Sequence, residues 1–390
     1  MLFTYRSLSA VERRVIDRTS EMRSALKQHV AFQPRRWTGL LARITRAKAL
    51  RASNSIEGIH VSAEDALAVV DNEDTSEADK ETYQAVRGYQ TAMDYILQRC
   101  VGGGNFKFSI DVILAVHFMI NQHDLSSNPG QLRPGWVGVH NTKTGQVVHE
   151  GVDREQLEPL MDELVEYLND ESVESPMLRG AMAHLNIAML HPFSDGNGRT
   201  ARCLHTAALA KEGIINPIFS SIEEYIGRDQ QEYYDVLAVT GKGKWNPAND
   251  CQAWVRYCIT AHYRQAQTLL RRTKEIERLY VELEDITKKL GLHERVALAL
   301  LQAAILGRVR NSSYRVSADV SNNLASRDLK DLVDAELLEP SGEKRGRFYK
   351  PTAPILAVRQ RTRVSKLNDD PFADPDLAGP QQPDLFSALH

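Results

Sequence analysis

The sequence predicts a mainly α-helical protein with one β-hairpin near its middle and, toward the C-terminus, a helix-turn-helix followed by a β-turn-β piece. Three observations predict it. Most of the 390 residues fall in long stretches whose apolar side chains recur three and four positions apart, the spacing of one helix face. Helix start and stop signals punctuate those stretches. Strand-forming residues flanking a turn occur in only two places, around Asn141–Gly145 and around Pro340–Gly342.

The elements follow in order. Ser9 with Glu12 forms a capping box for a helix over Ser9–Val30, and Pro34 follows its end. A second helix, Trp37–Ser55, carries Leu40, Leu41, Ile44, Ala47 and Leu50 and is stopped by Gly58. Ser62 and Asp65 cap Ala63–Val70. Helices are expected from about Glu77 to Cys100, Ile110 to Asn121 and Gln156 to Leu168. Between the last two, Trp136, Val137, Val139, Val147 and Val148 flank Asn141-Thr142-Lys143-Thr144-Gly145, a hairpin signal within Gln131–Val148. Further helices are expected over Met177–Leu190, Ala201–Leu209, Gln230–Val239 and, in two pieces, Asn249–Leu290. The C-terminal region reads as helix (His293–Leu306), short helix, helix (Ala325–Ala335), then two strands around Pro340-Ser341-Gly342 and Arg347-Phe348-Tyr349.

The chemistry concentrates in His191-Pro192-Phe193-Ser194-Asp195-Gly196-Asn197-Gly198-Arg199-Thr200-Ala201-Arg202. Pro192 disfavours helical geometry at His191, so this run reads as helix, tight loop, helix. Gly196 and Gly198 permit positive φ and close backbone approach of a ligand. Successive amides at a helix start form an anion site. Arg199 and Arg202, three apart, project from neighbouring faces of the first turn, and guanidinium forks match phosphate oxygens. Asp195 is a candidate Mg²⁺ ligand, since that ion takes one or two carboxylates plus phosphate oxygens and water. His191 is the candidate general base, because an imidazole of ordinary pKa is neutral near pH 7.

Composition sets outer bounds. A chain of 390 residues suggests two or three domains, and a formal net charge of −3 argues against a protein that coats nucleic acid. Four cysteines without metal spacing read as reduced core thiols, which points to the cytoplasm. Met1–Gln28 has no apolar signal region, and no run approaches a membrane span.

The twelve-residue run resembles the signature of the Fic family, and the resemblance extends over about Ser9–Pro351. It implies a Fic-type helical core with a β-hairpin flap, and transfer of AMP from ATP to a Ser, Thr or Tyr hydroxyl of a target protein or of the chain itself. It further implies the following roles. His191 takes the hydroxyl proton, and Asp195 binds Mg²⁺. Ser194, Gly196, Asn197, Gly198, Arg199 and Arg202 surround the phosphates. Tyr233 and Tyr234 line the adenine pocket, and the flap after Gly130-Gln131-Leu132-Arg133 presents the target by β-augmentation. Ser53-Asn54-Ser55-Ile56-Glu57-Gly58 resembles the family's inhibitory motif. In that class an N-terminal helix brings Glu57 onto Arg202, with Ser53 holding the helix in place. Two alternatives on the same core stay open: removal of AMP, with Glu57 orienting water, and transfer of a different nucleotide.

The region from Leu292 is similar to the winged helix attached to many such proteins, so duplex DNA is an expected partner and a DNA-binding transcriptional regulator a rival reading. Ser317–Val320 and Ser326–Leu332 look like the helix-turn-helix, with Leu329, Leu332 and Val333 inward and Arg327 and Lys330 outward. Lys344–Lys366 holds eight basic residues and no acid, whereas Asp328, Asp331, Asp334 and Glu336 would repel phosphates. Gln382-Pro383-Asp384-Leu385-Phe386 resembles a peptide that engages the sliding clamp of DNA polymerase. The expected divisions are 1–75 (N-terminal helices with the inhibitory helix), 76–270 (catalytic core), 271–290 (connecting helix), 291–351 (winged helix) and 352–390 (a basic then acidic disordered tail). A homodimer is also compatible with the sequence.

Overall fold

The computed structural model describes residues 1–32, 37–73, 79–100, 106–140, 144–211, 213, 221–343, 346–367 and 369–373. Helices dominate, and they begin where side chains replace missing backbone partners. Ser9 and Glu12 exchange bonds of 3.3 and 2.8 Å across the start of α1 (Ala10–Phe32), a reciprocal capping box. α2 (Trp37–Ile56) ends at a turn in which Gly58 adopts φ +79°. Ser62 caps α3 (Ala63–Val70) by accepting from the Asp65 amide. α4 (Lys80–Cys100) and α5 (Ile110–Asn121) follow, and Ser109 caps the second of them.

The hairpin is shorter than its sequence signal. β1 (Gly138–His140) pairs antiparallel with β2 (Val147–Glu150), with a register shift between Val139 and His140. Beyond it lie α6 (Arg154–Asn169), α7 (Pro176–Leu190) and α8 (Asn197–Lys211). Every residue of α7 except Pro176 and Ala188 is buried. A β-carbon at Gly180 would come within 2.7 Å of the His205 ring, so glycine lets α7 and α8 approach closely.

After α9 (Glu223–Ile226) and α10 (Gln230–Gly241), residues 252–289 form one unbroken helix, α11 (Gln252–Lys289). The sequence reading expected two pieces here. Neither Gly nor Pro occurs within the helix, and its buried face continues without interruption from Trp254 to Leu283, so nothing breaks it.

The C-terminal region comprises α12 (Ala297–Leu306), α13 (Asn311–Ala318) and α14 (Asn322–Asp334), then β3 (Leu338–Ser341) paired antiparallel with β4 (Phe348–Pro351). Val309 adds an antiparallel bridge to Tyr349. The stretch read as a disordered tail from residue 352 departs from that expectation in its first half. Ala353–Arg361 is a helix, α15, whose Ile355 and Val358 are buried in the core of this region. Farther on, Asp369 accepts from the Tyr263 hydroxyl at 2.6 Å, and Phe372 lies under the Arg256 guanidinium. Ile355 and Val358, three apart on one face of α15, and the Asp369 partners supply the order that composition alone did not signal. The clamp-like Gln382–Phe386 peptide lies outside the described residues.

Among the described residues, three large cores and a small fourth one of Leu26, Leu269 and Leu270 organise the chain. One is built by α3–α8 with Ala47 and Leu50 of α2. A second joins α7 and α10 to the first half of α11. The third is the C-terminal core, and it includes Trp37, Leu40, Leu41 and Ile44 of α2 as well as Ile276–Leu283 of α11.

Candidate active site

The site forms where α7 hands the chain to α8. α7 ends because His191 takes a left-handed conformation (φ 49°), with its amide still bonded to the Ile187 carbonyl. The His191 Nδ1–H points at the Ala188 carbonyl at 3.3 Å, which leaves Nε2 as the acceptor. Burial depresses its pKa to about 4, so the ring is neutral at pH 7.

Asn197 closes the loop. Its side chain accepts from the Phe193 amide and donates to the Phe193 carbonyl, both at 2.9 Å. Gly196 has φ +76°, and a β-carbon there would lie 2.7 Å from the Asn121 side-chain oxygen. Gly198 opens α8, and a side chain on it would run into Glu57. Ser194 and Asp195 are exposed on the loop, the Asp195 side chain at 61%.

The two arginines are buried beneath the loop. Arg199 pairs with Asp195 at 3.0 Å, and its Nε and Nη1 have no partner. Arg202 is fully buried. It donates to the Ser53 hydroxyl at 2.8 Å, to the Ser53 carbonyl at 2.9 Å and to Glu57 at 2.7 Å, while Nη1 has no partner. Burial alone would depress the Arg202 pKa, but the Glu57 carboxylate outweighs it and holds the guanidinium charged. Among the described residues these three guanidinium nitrogens have no partner, and at a helix N-terminus they form a candidate anion site.

The aromatic pair divides. Tyr233 is 2% exposed, packs against Trp254 and shares a hydrogen bond with His184 at 3.0 Å. Tyr234 is 44% exposed and donates to the Ile56 carbonyl at 2.9 Å, at the end of α2. The sequence placed both at an adenine pocket; one is interior and the other secures the helix that carries Glu57.

Other site residues were missed from sequence. His117 stacks on Phe193 with centroids 3.7 Å apart. Its Nδ1 accepts from the Gly130 amide at 2.9 Å, so the proton sits on Nε2, which donates to the Asp195 carbonyl at 2.9 Å. One neutral ring thus joins the approach to the hairpin with the loop. Arg133, 2% exposed, donates to the His191 carbonyl at 2.8 Å and to the Gly135 and Val152 carbonyls, tying the hairpin's root to the end of α7. His117 belongs to no run with recognisable spacing, and Arg133 ends the Gly130–Arg133 run with no role assigned to it there; each reaches the loop across a gap of more than fifty positions, which a linear reading does not see.

Among the described residues, no group of three His, Cys, Asp or Glu could hold a metal, and no helix is long and apolar enough to cross a membrane. Asp195 is therefore the candidate ligand by itself. An exposed carboxylate beside an anion site fits Mg²⁺ that draws its remaining ligands from phosphate and water.

Residues 107–209 match the Fic/DOC family. Among curated proteins, protein adenylyltransferase fic-1 of Caenorhabditis briggsae is 32% identical over 177 residues, which is 45% of this chain and 31% of that protein. Protein adenylyltransferase Fic of Aedes aegypti is 29% identical over 196 residues, or 50% and 35%. The chain thus spans about a third of the length of these relatives. A crystal structure of a Fic family protein from Desulfovibrio desulfuricans G20 superimposes with TM-score 0.57 at 20% identity, covering 89% of this chain and 98% of that one. Fic-1 (aa134–508) from C. elegans gives TM-score 0.51 at 22% identity, covering 68% and 73%. These structural likenesses concern the fold.

Proposed function

We infer that the chain, whose residues 107–209 match the Fic/DOC family, is an autoinhibited protein adenylyltransferase. The observation that carries this reading is the state of Arg202: charged, buried, one nitrogen free, and held by Ser53 and Glu57 beside a neutral His191.

His191 Nε2 takes the proton of a target Ser, Thr or Tyr hydroxyl, which is a weak nucleophile without a base. That oxygen forms a bond to the α-phosphorus of ATP. The bond between the α-phosphorus and the bridging oxygen breaks, and pyrophosphate leaves. The α8 amides and Arg199 neutralise the phosphates, and Arg202, once freed from Glu57, reaches the terminal one. Asp195 would hold Mg²⁺, which would supply further neutralisation of phosphate charge. Asn197 keeps the loop in shape, with His117 and Arg133 bracing it from behind. Tyr234 lies close enough to the end of α2 to face the base once that helix moves. Ser194, exposed on the loop, is positioned for a phosphate oxygen or solvent.

The experiment is labelling with α-³²P-ATP, comparing wild type with Glu57→Gly. The expected result is self-labelling by the variant well above wild type. Equal labelling would remove autoinhibition from the reading, and a His191→Ala variant that still labels would remove the mechanism. Incubation with AMP-modified protein tests the reverse reaction, and other nucleoside triphosphates test nucleotide choice.

We read the C-terminal elements as a winged helix that docks on duplex DNA. Its support is a rearranged charge pattern. Asp328, counted from sequence as a phosphate-repelling acid, is buried and accepts from Arg295 at 2.7 and 2.8 Å and from Tyr314 at 2.7 Å. Arg327 and Lys330 remain outward.

A further inference from the structure

Helix α2 belongs to two bodies at once. Its first half contributes Trp37, Leu40, Leu41 and Ile44, each at most 3% exposed, to the C-terminal core beside Leu300, Tyr314 and Leu329. Its last turn contributes Ser53, and the following residue is Glu57, the two groups that hold Arg202. Twenty residues of helix span about 30 Å. We propose that α2 is a lever by which the C-terminal module sets the grip of Glu57 on Arg202. The proposal rests on the autoinhibited reading above and extends it to what governs release.

Polar ties reinforce the apolar ones. Arg43, near the middle of α2, donates to the Ser317 hydroxyl of α13 at 2.5 Å and forks onto Asp71 at 2.6 Å. Arg308, which precedes α13, pairs with Glu64 of α3, and Arg310 lies 3.8 Å from the same carboxylate. The C-terminal module therefore grips α2 and the helix after it by both core and charge.

At its other end α2 is held by Arg202, which binds Ser53 and Glu57, and by Ile56, buried in the second core. Gln230 reaches Ser55 at 3.4 Å, and Tyr234 holds the Ile56 carbonyl. A packed helix transmits displacement along its axis, because a close-packed interior passes strain on. A shift of the C-terminal module against the catalytic body thus carries through α2 from Trp37 to Glu57.

The test uses the full-length protein in wild-type, Arg43→Gln, Arg308→Gln, Leu41→Ala and Glu57→Gly forms. Self-labelling with α-³²P-ATP is measured together with hydrogen exchange over residues 50–57 and 180–205. Loosening the module should raise labelling about fivefold or more, the usual scale of coupling between sites. It should also speed exchange at 50–57 while 180–205 stays protected. Adding Glu57→Gly to Leu41→Ala should give no more than Glu57→Gly alone. If Leu41→Ala does not fold, the two arginine variants, at the edges of the interface, carry the test. Glu57→Gly active while the interface variants match wild type in both labelling and exchange overturns the lever but leaves the inhibition intact. Glu57→Gly no more active than wild type overturns the inhibition itself, and the lever with it.

Discussion

Arg202 and Glu57 stand 145 positions apart in the chain and meet at 2.7 Å, the guanidinium fully buried and the carboxylate 26% exposed. Removing one partner of a fully buried pair costs about 3–5 kcal/mol, because the other charge is left in a poor environment. Here solvent at Glu57 and the two bonds from Ser53 reduce that figure. Glu57→Gly should therefore lower the Tm of the ligand-free protein, and Mg-ATP should raise it again by more than it raises wild type, since phosphate replaces the lost carboxylate. Thermal melts with and without nucleotide check this; equal shifts in the two proteins would mean that Glu57 does not occupy the phosphate's place.

The pH dependence of the unlocked enzyme follows from His191. Its pKa in the folded protein is about 4, below the ordinary imidazole value, and burial is the main cause. The base is therefore already deprotonated at pH 6, where an unperturbed histidine would be largely charged. The rate of AMP transfer by Glu57→Gly should stay flat from pH 8 to about 5.5 and fall below that. Removing Glu57 also takes away a negative charge that raises the pKa, so the variant's fall should not come earlier. For stability the sign is the same. The unfolded imidazole binds its proton near 6.5, so stability supplied by the neutral ring is present above that pH and is lost as the pH drops toward 4. A rate that halves near pH 6.5 would contradict the environment described for the ring.

His117 should act as a positioning residue. Its two ring nitrogens hold Gly130 and the Asp195 carbonyl, and its face holds Phe193. His117→Ala removes all three contacts. In the Glu57→Gly background it should raise the Mg²⁺ concentration needed for nucleotide binding and cut transfer about tenfold or more, the effect of displacing a ligand-orienting group. His117→Gln keeps a donor near the position of Nε2 and should recover part of the binding. Calorimetry of Mg-ATP binding separates these outcomes from simple unfolding, which would lower binding and Tm equally in both.

Much of this was legible in the chain itself. The helix, tight loop and helix over the twelve residues from His191 to Arg202 follow from their spacing, because Pro192 and the two glycines leave the loop few ways to run. Ser53 and Glu57 were legible through resemblance alone, since nothing local marks a helix-end glutamate as the partner of a distant arginine. Tyr233 and Tyr234 part because adjacent side chains on a helix face different directions: one enters the core against Trp254, and its neighbour emerges. His117 and Arg133 stayed hidden because their partners are backbone carbonyls and amides, which no side-chain pattern records. The single span of α11 was missed for a different reason. Its length exceeds what local punctuation suggests, and packing against α1 and the C-terminal core, rather than any sequence signal, sustains it.

Tyr234 offers a smaller and cleaner perturbation of inhibition. Its hydroxyl donates to the Ile56 carbonyl, one of the groups left without a partner at the end of α2. Tyr234→Phe deletes one hydrogen bond worth about 0.5–1.5 kcal/mol and leaves the ring in place. Basal self-labelling should rise roughly two- to tenfold, well short of Glu57→Gly, and the added effect should vanish when both changes are combined. Loss of activity in Tyr234→Phe would instead assign the hydroxyl to nucleotide binding.

The C-terminal surface is tested by salt. Asp328 is turned inward against Arg295 and Tyr314, so the outer face of α14 carries Arg327 and Lys330 with fewer opposing acids than the sequence implies. If these side chains meet phosphates, the full chain should bind duplex DNA with an affinity that falls steeply as salt rises. Arg327→Ala and Lys330→Ala should each lower the slope of log affinity against log salt by about 1. Asp328→Asn should not strengthen DNA binding, because its charge is already neutralised within the core; it should lower Tm instead, leaving Arg295 without its carboxylate. Binding that is absent at low salt, or indifferent to Arg327 and Lys330, would make this face a site for docking protein, with Asp331 and Asp334 also outward to balance the two basic side chains.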